Sequence, residues 1–130
     1  MTKIISFLKF IFYTSTLFLI LLSLFPGSLL GLLFYGDLGQ QPNLIENPFG
    51  TTINHFIGYF FIGILGFSIY LRNDNFNKVV FGLFVLSIIL EVLHAIIPNR
   101  AFQIGDLLGN ILGVLLAYFL VKIYELLSKT

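Results

Sequence analysis

The chain has 130 residues, of which 58% are hydrophobic and only 10% are charged, and its mean hydropathy is +1.00. A water-soluble domain carries roughly 25% charged residues, so this composition is typical of a small integral membrane protein. A net charge of +1 without a basic run gives no basis for nucleic-acid binding. Cysteine is absent, which excludes disulfides, thiolate metal sites and a thiol nucleophile.

The apolar segments predict an all-α fold, a bundle of four transmembrane helices in one domain over residues 1–130. The helices are expected at about residues 4–25, 53–71, 79–97 and 104–123, each long enough to cross a bilayer. A signal peptide is the alternative for the first segment. We prefer a retained helix, because the segment is longer than a signal core and no small-residue cleavage site follows it.

The connection after the first helix begins at Pro26-Gly27. Residues 28–35 are still apolar, which favours a short helix at the membrane interface. The rest of this connection, up to residue 52, is a polar loop that contains acidic residues but no Lys or Arg.

The basic residues indicate the orientation. Six of the seven fall on one side of four spans, namely Lys3, Lys9, Arg72, Lys78, Lys122 and Lys129. Arg100 alone falls on the other side. The positive-inside rule therefore predicts that both termini are cytoplasmic and that loops 26–52 and 98–103 lie outside.

Several polar residues lie inside the apolar segments, near their outer ends. A charged side chain at the centre of a membrane helix costs about 2.5–3.5 kcal/mol on insertion scales, so such residues usually mark a function or a buried partner. At 1.5 Å per residue, Glu91 and Asn110 lie about 9 Å below the outer edge, and His55 and Asp106 about 3 Å below it. We therefore expect polar groups from three helices to converge in the outer leaflet.

The polar residues of this cluster are assigned two kinds of role. The candidate catalytic residues are His55, Glu91 and Asp106, and the candidate substrate-binding residues are Arg100, His94, Asn110 and Tyr59. Acid–base chemistry needs groups whose proton affinity is moved by their surroundings, and a low-dielectric membrane site does this strongly. Arg100 is suited to a phosphate or carboxylate, because a guanidinium binds both in bidentate fashion.

The last helix also carries small residues at every fourth position, Gly105, Gly109, Gly113 and Ala117. Such a ridge lets a neighbouring helix approach closely. We interpret these residues as a packing surface that brings the polar groups together.

The order and spacing of the intramembrane polar residues resemble the VanZ-like family, named for a teicoplanin-resistance accessory protein. The resemblance covers about residues 51–120 and rests on Asn54-His55-Phe56-x-x-Tyr59-Phe60, Glu91, Pro98-x-Arg100 and Asp106-Leu107-x-x-Asn110-x-x-Gly113. The family usually has Asp-Lys before the His-Phe pair and Gln where this chain has His94. The resemblance implies a multi-pass protein of the bacterial cytoplasmic membrane, with an effect on glycopeptide susceptibility.

Together these features predict an extracytoplasmic site that binds or modifies an anionic lipid headgroup or cell-wall precursor. Membrane lipids and a lipid-linked precursor are the expected partners, and whether the protein is an enzyme stays open. The alternative is a non-enzymatic accessory protein whose buried charges are structural, with Arg100 paired to Asp106 or Glu91.

The same residues also include possible metal ligands. Glu91-x-x-His94 places two ligands on one helical face, and His55 with Asp106 would complete a mixed His and carboxylate set. Di-iron bundles use the Glu-x-x-His motif twice, whereas this chain has it once. The sequence prediction therefore assigns no metal and no cofactor.

Overall fold

The computed structural model describes residues 2–129 and, within them, contains helices and no strands. The helices are α1 (Thr2–Leu24), α2 (Leu29–Tyr35), α3 (Thr52–Tyr70), α4 (Phe76–Leu93) and α5 (Ile104–Leu127). The four long helices, α1, α3, α4 and α5, are long and apolar enough to cross a membrane. The chain is therefore a multi-pass membrane protein, as its composition predicted.

Helix α4 differs most from its expected bounds of 79–97. It begins three residues earlier and ends four residues earlier, at Leu93. The helix ends there because the following N–H groups donate to the carbonyl three residues earlier instead of four. The first of these bonds joins His94 N–H to Glu91 O at 3.1 Å.

Helix α5 continues to Leu127, four residues beyond the expected end at 123. Glu125 lies 2.8 Å from both Lys122 and Lys129, one helical turn away on either side. Opposite charges at this spacing support a helix. These pairs explain why the polar tail remains helical.

Helices α3 and α5 pack closest, along the predicted small-residue ridge. A Cβ on Gly113 would lie 2.5 Å from Phe56 O, and one on Gly109 would lie 2.8 Å from Thr52 O. Both distances are shorter than a carbon atom tolerates, so these positions need glycine. The contact holds the first turns of α3 beside the first turns of α5.

Helix α1 packs less tightly than the others, with an apolar contact near its middle. Phe12 is 5% exposed, and its ring fills the space that a side chain on Gly66 of α3 would need. The Tyr13 and Tyr70 hydroxyls form a hydrogen bond of 2.6 Å beside it. Towards its C-terminus, α1 instead borders a cavity.

The long connection between α1 and α3 folds back over the ends of both helices. Ser28 caps α2 by accepting from Gly31 N–H at 2.9 Å, and its own N–H donates to Leu38 O at 2.7 Å. The side chain of Asn54, in the first turn of α3, donates to Pro42 O at 2.8 Å. These bonds hold the connection against the end of the bundle where the polar residues lie.

Candidate functional site

The four long helices bring their polar residues together at one end of the bundle. This end contains the C-termini of α1 and α4 and the N-termini of α3 and α5. Five of the seven predicted site residues form one cluster there, namely His55, Glu91, His94, Asp106 and Asn110. The last four of these are at most 3% exposed.

Glu91 lies at the centre of this cluster and is completely buried. Its Oε1 accepts from the backbone N–H of Gln103 at 3.0 Å. Gln103 is the cap residue of α5, whose first N–H groups have no partner inside the helix. The other oxygen, Oε2, has no hydrogen-bond partner within residues 2–129, although His94 Nδ1 lies 3.2 Å away and His55 Nδ1 3.9 Å away.

Asp106 lies in the first turn of α5, where the helix dipole favours a negative charge. Its Oδ1 accepts from the Thr52 hydroxyl at 2.7 Å. Its Oδ2 is 3.5 Å from Nε2 of His55, which is long for a hydrogen bond. Asp106 therefore resembles Glu91, since each has one oxygen held by the protein and one facing a histidine.

Asn110 orients His55. Its amide nitrogen donates to Ser87 O at 3.2 Å, and its amide oxygen lies 3.1 Å from His55 Nδ1. An amide oxygen only accepts, so in this arrangement Nδ1 of His55 carries a hydrogen. In neutral His55 the bare nitrogen is then Nε2, which faces Asp106.

His94 is oriented by the last turn of α1. Its Nε2 lies 3.1 Å from the carbonyl oxygen of Ser23 and 3.0 Å from the hydroxyl of the same residue. Because a carbonyl oxygen only accepts, Nε2 carries the hydrogen. Neutral His94 therefore turns its bare nitrogen, Nδ1, towards Glu91.

Arg100 lies at the rim of the cluster and contacts the end of α1. Its guanidinium donates to Leu22 O at 2.7 Å and, more weakly, to Phe25 O at 3.4 Å. Carbonyls in the last helical turn lack partners inside the helix and favour a cation. Within the described residues, Arg100 forms no ion pair with Glu91 or Asp106, so the direct pairing considered from the sequence is not found.

Although Arg100 forms no ion pair with Glu91 or Asp106, the charges of both carboxylates act on it. Burial lowers the pKa of Arg100, whereas the charges of Glu91 and Asp106 act to raise it. An arginine stays protonated at physiological pH in any case. Arg100 thus places a permanent positive charge near the cluster, with guanidinium N–H groups still available to a ligand.

Tyr59 lies outside the hydrogen-bonded cluster. It is 3% exposed, and its hydroxyl lies 3.4 Å from Leu86 O on α4. The structure therefore places Tyr59 in the helix packing below the polar residues, where it also lines a cavity.

Two cavities meet at the cluster. One, of about 400 Å³, is mostly apolar and lies between α1, α2 and α3. The other, of about 420 Å³, lies beneath the connections that cover the end of the bundle. Both are lined by His55, His94, Arg100, Ser28 and Gln41.

The rim of the apolar cavity carries exposed apolar residues, and the rim of the second cavity carries exposed residues of the connections. Phe18 of α1 and Phe61 of α3 line the first and are 54% and 56% exposed on the apolar surface of the bundle. The second is bordered by exposed residues of the connections, including Gly39 and Asn99. The arrangement can hold a molecule with an apolar part and a polar part.

Three residues of the site were not predicted from the sequence. Thr52 lies three residues before His55, so helical spacing gives a signal that both face the same side. Ser23 lies in the last turn of α1, and four-span topology alone puts it at the same end. The contact of Gln103 uses its backbone N–H, for which the sequence holds no signal.

The comparison with protein families gives one match. The model of the family described as VanZ/LLP1 matches residues 1–125, which is nearly the whole chain. No curated protein and no solved structure gives a significant match.

Proposed function

Because this chain belongs to the VanZ/LLP1 family, we propose that it is a protein of the bacterial cell envelope that binds an anionic lipid or lipid-linked precursor. The apolar part of the ligand lies in the cavity between α1 and α3. Its anionic headgroup lies in the second cavity, beside Arg100 and the histidines. The observation that carries this function is the meeting of the two cavities at the polar cluster.

The size and lining of the cavities support a lipid. Ligand pockets usually have volumes of about 300–1,000 Å³, with apolar walls and a few polar groups that fix orientation. The first cavity, at about 400 Å³, has walls of this kind. Its exposed rim residues, Phe18 and Phe61, give an acyl chain a direct entry from the bilayer.

The charges favour an anionic headgroup. Arg100 uses two guanidinium nitrogens on helix carbonyls, and its remaining N–H groups suit phosphate oxygens. The buried carboxylates are nearby but are directed at the histidines and at protein N–H or O–H donors. Arg100 is therefore the headgroup contact, and His55, which lines both cavities, lies beside the bound headgroup.

The second candidate function is a non-enzymatic accessory protein whose buried charges only hold the bundle together. The contacts of Arg100 with Leu22 O and of Glu91 with Gln103 N–H favour it, because both join separate parts of the chain. The two functions predict different effects of a substitution that fills the apolar cavity. A structural cluster tolerates it, whereas a lipid site does not.

A lipid-binding measurement on paired variants tests the function. Gly58 lines the apolar cavity, and its Cβ would lie 3.6 Å from Leu19, so Gly58→Leu places a side chain in the space assigned to the acyl chain. Gly82→Leu is the matched control, because nothing lies within 4 Å of the corresponding Cβ. Native mass spectrometry would compare phosphatidylglycerol, a polyprenyl phosphate and phosphatidylcholine at equal concentration.

We expect wild type and Gly82→Leu to retain one of the two anionic lipids and Gly58→Leu to lose it. The anionic lipid that is retained identifies the class of ligand. Equal retention of phosphatidylcholine, or retention unchanged in Gly58→Leu, would contradict the function.

We further propose that the site lies on the outer side of the bacterial cytoplasmic membrane and that both termini are cytoplasmic. Six of seven basic residues, all but Arg100, lie at or beyond the opposite end of the bundle. Single cysteines at Asn43 and Asn75 should react with a membrane-impermeant reagent from outside and from inside, respectively. Labelling of Asn75 from outside in intact cells would reverse this orientation.

The family name connects the site with glycopeptide susceptibility, which we include in the proposal. An envelope protein that sequesters or alters an anionic precursor would change how much antibiotic target is accessible. Expression of wild type should change teicoplanin susceptibility, and Gly58→Leu at equal expression should not.

A further inference from the structure

The polar cluster holds two buried carboxylates without a directly paired lysine or arginine. Glu91 is 0% exposed and Asp106 is 3% exposed. Among the described residues, no Lys or Arg nitrogen lies within 4.0 Å of either carboxylate. Charges buried in proteins are paired or coordinate metals, because an isolated buried ion is very costly.

If both histidines are neutral, the nitrogen that each one turns to a carboxylate carries no hydrogen, so it cannot donate a hydrogen bond. In the tautomers set by Asn110 and Ser23, His55 turns bare Nε2 to Asp106 and His94 turns bare Nδ1 to Glu91. A nitrogen lone pair facing a carboxylate oxygen is repulsive unless a cation lies between them. The same unfavourable pairing occurs twice in one cluster.

Protonation of both histidines is the simplest way to remove this repulsion, but the geometry does not favour it. His94 Nδ1 lies 3.2 Å from Glu91 Oε2, which is ion-pair distance for a protonated His94, but this buried oxygen accepts no well-directed hydrogen bond within residues 2–129. The contact between His55 and Asp106, at 3.5 Å, is also longer than a charge-assisted hydrogen bond.

We propose that His55, Glu91 and Asp106 bind a divalent transition-metal ion such as Zn²⁺, with His94 as a fourth donor. One ligand atom from each of the first three residues lies within 4.8 Å of the others. Ligand atoms 2.0–2.2 Å from a tetrahedral zinc lie about 3.4 Å apart, so side-chain shifts of about 1 Å bring these three residues into position. Imidazole donors favour such an ion over Mg²⁺ or Ca²⁺.

The neighbouring hydrogen bonds are those that a metal site requires. Ligating histidines usually donate their other N–H to an oxygen, and ligating carboxylates are themselves hydrogen-bonded. Here Asn110 accepts from His55, Thr52 donates to Asp106, and Gln103 N–H donates to Glu91. Each ligand is thus held through one atom, which leaves its other nitrogen or oxygen available to the ion.

The proposed metal site can be tested independently of the proposed lipid binding. His55 and Asp106 also line the second cavity, so a bound ion would face the space assigned to the headgroup. Metal binding is measured on protein without added lipid, and lipid binding is measured in the presence of a chelator. Failure of one therefore does not decide the other.

Zinc binding to the full chain tests the site. The protein is purified in detergent through a tag without histidines, stripped with a chelator, and dialysed against Zn²⁺ for elemental analysis. We expect one equivalent of Zn²⁺ per wild-type chain and weaker retention of Mg²⁺. A wild-type chain that binds no Zn²⁺ would overturn the site.

Paired variants locate the ion. Glu91→Gln and Asp106→Asn should lose binding, while Glu46→Gln, an exposed acid in the connection before α3, should keep it. Thr52→Val should weaken binding by about 10–100-fold, as for other outer-ligand partners, and Thr51→Val should not. If all these variants bind Zn²⁺ equally, the ion must lie elsewhere.

A spectroscopic measurement locates the ion even if a variant fails to fold. The chain has only two histidines, His55 and His94, and both lie in this cluster. Imidazole scattering in the X-ray absorption spectrum of the zinc-loaded wild type therefore assigns the ion to this site. Oxygen ligation alone, without imidazole, would exclude the site.

Discussion

The two ends of the bundle bury their side chains in different ways. At the basic end, Phe67 is completely buried and packs edge-on against the rings of Phe76 and Tyr118, with centroids 6.0 and 6.2 Å away. The charges there, such as Lys129 with a 62% exposed side chain, remain accessible. At the other end the buried groups are carboxylates, imidazoles and amides.

This difference indicates a division of labour. Apolar ring packing needs no partner outside the chain, so the basic end is complete as it stands. The polar end keeps one carboxylate oxygen without a hydrogen bond and borders two cavities. We therefore interpret the basic end as the structural part of the molecule and the polar end as its binding part.

The largest effect should come from the contact that both ends share, between α3 and α5. Gly113→Leu places a side chain where even a Cβ would lie 2.5 Å from Phe56 O, so the helices must separate. We expect loss of folded protein by size-exclusion chromatography and loss of ligand binding together. Gly82→Leu, which projects into open space, should behave as wild type, and equal loss in both would contradict the packing.

The second largest effect should be a loss of stability at the basic end that leaves binding at the polar end unchanged. Phe67→Ala removes a completely buried ring and should lower the free energy of unfolding by about 3–5 kcal/mol. Unfolding by SDS in mixed micelles would measure it, with Phe81→Ala, at a position 71% exposed, as the control. Under conditions where Phe67→Ala is folded, it should bind lipid as wild type does. Reduced binding by the folded variant would show that the ends are coupled.

The converse change is made at the polar end. Glu91→Gln keeps an oxygen to accept from Gln103 N–H but removes the buried charge. In chelator-treated protein we expect its unfolding midpoint to equal or exceed that of wild type, because an uncompensated buried charge is destabilising. Its metal binding should be lost. A clear fall in stability without metal would instead favour the structural interpretation of the cluster.

The smallest effect is expected at the exposed charges of the basic end. Glu125→Gln breaks the ion pairs with Lys122 and Lys129. Both lysine side chains are exposed to solvent. Such pairs contribute little, so neither the unfolding midpoint nor ligand binding should change measurably. A marked loss of stability would mean that the end of α5 contributes more than its exposure suggests.

The fold could be predicted because its signals are local. Apolar segments long enough to cross a bilayer, such as 104–123, indicate spans whatever the rest of the chain does. The family resemblance drawn from His55, Glu91 and Asp106 is likewise confirmed by the match to residues 1–125. The helix ends at Leu93 and Leu127 were less predictable, because they depend on turn hydrogen bonds and on charge pairs.

The members of the site could be predicted better than their partners. Polar residues inside apolar segments are conspicuous, and topology alone brought His55, Glu91 and Asp106 to one level. Which atom meets which depends on rotamers and on backbone groups such as Gln103 N–H and Leu22 O, for which residue type gives no signal. The sequence prediction therefore assigned Arg100 to an anionic ligand, with a carboxylate as the alternative partner, and gave no signal for its contact with α1.

Photo-crosslinking of a bound lipid tests most directly whether the polar end is a binding site. The probe is an anionic phospholipid with a diazirine on its acyl chain near the headgroup, added to the purified protein and mapped by peptide mass spectrometry. Cross-links should concentrate on residues that line the apolar cavity, such as Leu22 and Ile57. Cross-links spread evenly over outward-facing residues such as Phe81 and Phe119 would contradict a specific site.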